Sequence, residues 1–326
     1  MVGSYGEPEE TRRRSNACIV PVPAIVRAFL AEHDAAWGHR AVARNARPSP
    51  ERALVSPRVE ALRQIEDWPA PTAAAGVVRA GEVIAVHGPH DLVLRWASVT
   101  KLVTALAALV AAEEGVIDLD EPAGPEGSTV RHLLAHASGL PFEPGGPTGR
   151  PGQRRVYSNV GFEVLAEHVA ARAEIPFDEY LATGVLRPLG MRAELRGSPA
   201  SELHGTLDDL LLLARELQRP TLLAAETLAE ATSVQFPGLA GVLPDFGRWD
   251  PNDWGLGFEL RDEKSPHWTG SRNSPRTFGH FGGSGTFLWV DPDAGLALGC
   301  LTDLEFGDWA KEAWPRLSDA VLAELA

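Results

Sequence analysis

The chain has 326 residues, 44% of them hydrophobic, so it can bury a large core and is too apolar for a disordered chain. Its formal charge of −14 leaves no basic surface for a nucleic-acid partner; the first 63 residues are net basic and the remainder strongly acidic. Two cysteines, Cys18 and Cys300, do not make a disulfide framework, no Cys/His spacing reads as a metal site, no cofactor is expected, and no apolar run is long enough for a membrane span.

Residues 1–54, rich in Arg, Pro and Ala, read as an N-terminal extension, and residues 55–326 as the folded domain. Arg12–Arg14 precede an apolar stretch that Pro21, Pro23 and Arg27 interrupt. This does not fit a cleaved signal peptide, and the cytoplasm is the expected location. Ser56-Pro57 predicts a helix start, with Val59, Leu62 and Ile65 continuing it. Ala73–Arg79 and Glu82–His87 read as a hairpin around Ala80-Gly81, and Leu92–Arg95 as a short extended piece.

From Ser98 the apolar spacing becomes helical (Leu102, Ala105, Leu106, Leu109, Val110) until Gly115. Further helices are expected at about 129–136, 159–173, 177–186 and 206–218. Strand patterns return at Trp254–Arg261, Arg276–Phe281, Thr286–Val290 and Leu296–Thr302, and a last helix at about Asp308–Leu325. This order lacks βαβ alternation. It predicts one antiparallel sheet built from 72–95 and 254–302, with a helical insert at about 98–250.

Three short segments carry chemistry. Ser98-Val99-Thr100-Lys101 puts a hydroxyl and an amine on one helix face, one turn apart, near a helix N-terminus that favours developing negative charge. A serine needs a base to become nucleophilic, and a desolvated lysine or a phenolate beside a cation can serve. The same pair alone is equally an N-cap serine followed by a solvated lysine. Tyr157-Ser158-Asn159 opens a helix; Tyr157 is a candidate base with its pKa lowered by Lys101, or else a buried aromatic beside a cap. His280-Phe281-Gly282-Gly283 lies on a strand whose glycines allow close approach, and the N–H groups of Ser98 and Gly283 are candidate oxyanion donors. Trp96, next to Ser98, is the best pocket candidate among nine tryptophans.

In this order and spacing the segments resemble the serine β-lactamase and penicillin-binding-protein superfamily, closest to its class C-like, esterase-containing branch. His132–Pro141, Pro188-Leu189-Gly190-Met191 and Phe278–Gly285 agree with it, and the resemblance covers about residues 56–326. It implies an α/β sandwich of the penicillin-recognising type, an antiparallel sheet flanked by helices, with Ser98 as nucleophile, Lys101 and Tyr157 as the base pair, and Asn159 as a substrate contact. It also implies that His280 lines the pocket and that a water activated by Tyr157 deacylates the enzyme.

Two departures bear on the substrate. His280 stands where many relatives have Lys, and a partly charged imidazole pulls less on a carboxylate; Phe281 stands where Thr is usual. Both favour small-molecule esters and amides over β-lactams and peptide C-termini. A D-alanyl peptidase or β-lactamase of the same fold is the nearest alternative, and a catalytically silent ligand- or partner-binding module the alternative of another class.

Overall fold

The computed structural model describes residues 59–326. The extension at 1–54, Cys18 and the predicted cap at Ser56-Pro57 lie outside these. The described chain opens in a 3-10 helix, Glu60–Asp67, which buries Leu62 and Ile65. Strands β1 (Ala73–Arg79) and β2 (Glu82–His87) form the expected hairpin, with Ala80 and Gly81 both at positive φ as a two-residue turn requires. After β3 (Leu94–Arg95), a 3-10 turn at Ala97–Val99 leads into α1 (Thr100–Glu113), almost wholly buried.

Helices α2 (Val130–Leu134), α3 (Asn159–Ala173) and α4 (Phe177–Leu181) follow. The helix expected at 129–136 stops early because His136 adopts positive φ. The one expected at 177–186 passes into a π turn at Ala182–Leu186. Strands β4 (Glu194–Leu195) and β5 (Leu203–Gly205) join β3 in a small sheet. Next come α5 (Leu207–Gln218), α6 (Ala225–Ala231) and a hairpin of β6 (Gly241–Leu243) and β7 (Gly247–Trp249).

The last stretch is β8 (Glu259–Leu260), β9 (Phe278–Gly282), β10 (Thr286–Asp291), β11 (Leu296–Thr302) and α7 (Asp308–Leu325). The strand expected over Trp254–Arg261 shrinks to Glu259–Leu260, because the chain turns back at Gly255–Gly257 and Trp254 bridges Glu259.

The main sheet has six antiparallel strands in the order β2-β1-β11-β10-β9-β8, so both ends of the domain build it, as the sequence pattern predicts. Its two faces are covered, which is why β9, β10 and β11 are buried throughout. Ala74, Val78, Leu288 and Leu301 pack against α1 and its neighbours. Val77, Phe287, Trp289 and Cys300 pack against the 3-10 helix and α7. Helix α5 approaches the sheet where Gly76 pairs with Gly299: a Cβ at Gly76 would lie 2.6 Å from a Leu211 methyl. No helix among the described residues is long and apolar enough to cross a membrane.

The irregular segment between β8 and β9 is held by a buried polar cluster. The Glu259 carboxylate accepts from Trp268 Nε1 at 2.6 Å and His267 Nε2 at 3.0 Å, with Lys264 Nζ 3.3 Å away. Burial opposes the charge on Glu259, but His267, Lys264 and these hydrogen bonds outweigh it and hold the carboxyl ionised, at about 2. Removing one member of such a set strands the others without partners. Glu259→Ala is therefore expected to cost about 3–5 kcal/mol in urea unfolding. A loss below about 1 kcal/mol for the alanine variant would contradict this account of the segment.

Candidate active site

Ser98 sits on the 3-10 turn that leads into α1, partly exposed between buried Ala97 and Val99. Ala97 has φ +44°, a conformation that L-residues rarely adopt, so this turn is strained immediately before Ser98. The β9–β10 hairpin clamps it. Thr286 Oγ1 donates to the Trp96 carbonyl at 2.8 Å and Ser284 Oγ to the Arg95 carbonyl at 2.7 Å. Gly282 makes this fit possible: a Cβ there would stand 2.5 Å from the Trp96 carbonyl oxygen. Gly282 therefore serves the packing of the turn. The expectation for Trp96 is corrected, since its side chain is fully buried in the core and the cavity at Ser98 is lined by others.

Lys101 is fully buried, one turn into α1 from Ser98. Its Nζ donates to Asn159 Oδ1 at 2.6 Å and to the Ala200 carbonyl at 2.9 Å, and lies 3.4 Å from Ser98 Oγ. It also stands 4.8 Å from the centre of the Tyr157 ring. Burial lowers its pKa to about 7, against a smaller opposing pull from Glu163. A neutral amine has two hydrogens and one lone pair. Both hydrogens have acceptors here, so the lone pair is left for Ser98.

Tyr157 and Asn159 arrive together because Ser158 caps α3: its hydroxyl accepts from Gly161 N at 2.7 Å and donates to the Pro141 carbonyl at 2.6 Å. The Ser158 N–H donates to His136 Nδ1 at 3.2 Å. His136, just past the end of α2, is buried against Tyr157, with ring centres 4.7 Å apart, and burial keeps it neutral.

The structure also corrects the charge expected on Tyr157. Burial raises its pKa, with a smaller opposing pull from the Ser98 hydroxyl, so the group is a phenol rather than a phenolate. His280 is likewise neutral: burial, and secondarily the Lys101 charge, lower its pKa to about 3. Its Nδ1 lies 2.6 Å from the Phe281 carbonyl, which can only accept, so Nδ1 carries the proton. Nε2 then accepts, and the Tyr157 hydroxyl at 3.4 Å donates to it.

A cavity of about 140 Å3 is lined by Ser98, Tyr157, His280 and Gly283 together with Leu243, Trp254, Glu259 and Phe281. Phe142, Pro244 and Asp245 complete it and continue into a second cavity of about 720 Å3. Sequence reasoning missed the Ala200 carbonyl, His136, Glu259, Phe142 and the β6–β7 hairpin. Only His136 and Glu259 left a trace, as a histidine beside a Ser-Gly pair and an acid in an apolar run.

The chain is similar to several known proteins. A family profile described as Beta-lactamase matches residues 60–194 and 192–322. A β-lactamase (Mb2281c) from Mycobacterium bovis is 55% identical, with TM-score 0.80, over 81% of this chain and 99% of that one. EstCE1, described as a hydrolase with promiscuous acyltransferase activity, shares the fold at TM-score 0.65 and 18% identity, covering 81% and 97% of the two chains. The D-alanyl-D-alanine-carboxypeptidase/endopeptidase AmpH of Escherichia coli (strain K12) is 29% identical over 139 residues, 31% of this chain and 36% of AmpH. The chain thus spans about a third of that curated relative's length. With a profile match over most of its length and a fold shared with these proteins, the chain belongs to the β-lactamase family.

Proposed function

We propose that the protein is a serine hydrolase that forms an acyl-enzyme at Ser98 with small esters or amides. The observation that carries this reading is the buried Lys101 amine, with both hydrogens engaged and its lone pair left for Ser98 Oγ. Lys101 takes the serine proton as Oγ attacks the substrate carbonyl. The N–H groups of Ser98 and Gly283 receive the oxyanion. Tyr157, a phenol, protonates the leaving oxygen or nitrogen and is reprotonated from the Lys101 ammonium. Deacylation runs this route backwards: water loses its proton to Tyr157 while Tyr157's own proton moves to Lys101. Asn159 fixes the amine by accepting from it, a positioning role added to the expected substrate contact.

The cavity wall at Ser98 holds Glu259 and Asp245, a neutral His280, and no lysine or arginine. A free substrate carboxylate beside the scissile bond would find no lysine or arginine among the described residues of this wall to pair with. This favours esters and amides that lack such a carboxylate over peptide C-termini and penicillins.

Ser98→Ala is expected to abolish the acyl adduct seen by intact mass with a short activated ester, and Lys101→Ala to lower kcat/KM by about 10²–10⁴-fold. Because the amine must be neutral, kcat/KM should rise about tenfold per pH unit up to about 7 and then level off. A flat profile between pH 5 and 8, a wild-type level of adduct in Ser98→Ala, or a lasting penicillin adduct on the native enzyme would each overturn part of this reading, the last in favour of a peptidase or β-lactamase.

A further inference from the structure

The larger cavity of about 720 Å3 begins where the Ser98 cavity ends, and the two share Phe142, Tyr157, Pro244 and Asp245. Its walls are mainly apolar: Pro141, Phe142, Val156, Ala240, Val242 and Pro244. Phe142 and Val242 are 46% and 56% exposed, among the most exposed large hydrophobic residues of the described chain, and both face this one space. Lone exposed apolar side chains need no explanation, but two on the walls of a cavity continuous with a reactive serine do. Exposed Arg154 and Arg248 line it as well and form a charged rim, while Asp245 lies where the two cavities meet.

The cavity is also built to hold its shape. Arg155, 2% exposed, sits behind the wall and donates to the carbonyls of Ala135 at 2.7 Å, Asn252 at 3.0 Å and Phe236 at 3.2 Å, and to that of Gln235. Its own N–H donates to the Ala240 carbonyl at 2.9 Å, and it bridges Gly241 at the start of the β6–β7 hairpin. One buried guanidinium thus ties the backbone at Ala135, Gln235, Phe236 and Asn252 to residue 155, which lines the cavity.

We propose that this cavity binds an extended apolar arm of the substrate, an alkyl or aryl-alkyl chain attached to the ester or amide that Ser98 attacks. The proposal rests on the acyl-enzyme reading and specifies its substrate class. The Ser98 cavity alone, at about 140 Å3, admits little beyond the reacting group. The second cavity has room for a chain of many methylenes, and burying each in an apolar site strengthens transition-state binding about two- to fourfold. The chain enters past the Tyr157 ring, and its far end meets the charged rim.

Two ester series test this and tell the two possible arms apart: alkyl acetates, from ethyl to decyl, and ethyl alkanoates, from acetate to decanoate. In one series kcat/KM should rise about two- to fourfold per methylene over at least four methylenes. The series that rises identifies the arm as leaving group or acyl group. In Val242→Trp, which fills the cavity from the hairpin, the ratio of the longest to the shortest ester in that series should fall at least tenfold. Ser98-dependent turnover with flat ratios in both series, or a chain-length gain that survives Val242→Trp, overturns this proposal alone. Absence of Ser98-dependent turnover of every ester in both series, together with absence of an adduct from the short activated ester, overturns the acyl-enzyme reading and this proposal with it.

Discussion

The site is organised by the desolvation of one amine. Lys101 lies fully inside the protein, where a charge is costly, and the fold offsets that cost only in part, with two acceptors and the distant carboxylate of Glu163. An amine held this way gives up its proton near neutrality. The other features of the site support this state. The turn before α1 fixes Ser98 opposite the lone pair, α3 delivers the Asn159 amide oxygen, and the loop before β5 delivers the Ala200 carbonyl.

Around that amine the remaining groups are neutral. His136 lies against Tyr157 with its Nδ1 on the Ser158 N–H, and His280 faces the Tyr157 hydroxyl with the proton of its own ring turned to the Phe281 carbonyl. Burial suppresses the charge of both imidazoles and keeps Tyr157 a phenol. Tyr157 is thereby suited to give a proton to a leaving group, and Lys101 to take one from the serine. The ionised Glu259 is tied up with His267, Lys264 and Trp268, so its charge shapes the pocket without competing for the reacting proton.

Much of this was legible in the sequence where local pattern decides. The apolar runs and turn residues define β1, β2, β11, α3 and α7 at their observed limits, because burial on a fixed period and caps such as Ser158 act locally. The spacing of Ser98, Lys101, Tyr157, Asn159, His280 and Gly283 pointed to residues that the fold gathers at one place. Tertiary surroundings were not legible. The second acceptor of Lys101 is a backbone carbonyl, which any residue at position 200 would supply. The expected charges on Tyr157 and His280 failed because side-chain type does not reveal burial. The β6–β7 hairpin escaped because its short, half-exposed strands carry a weak alternation. Trp96 failed because nearness in sequence to Ser98 does not reveal burial, and its ring lies in the core.

The central claim is that Lys101 is a neutral amine in the working enzyme, and it can be measured without substrate. The chain contains only three lysines, Lys101, Lys264 and Lys311, so lysine labelled with carbon-13 at Cε gives three NMR signals to follow against pH. The account predicts that one of them titrates with a midpoint near 7 and disappears in Lys101→Ala. A Lys101 signal that stays in its protonated position up to pH 9 would contradict the account and leave Ser98 without the base assigned to it.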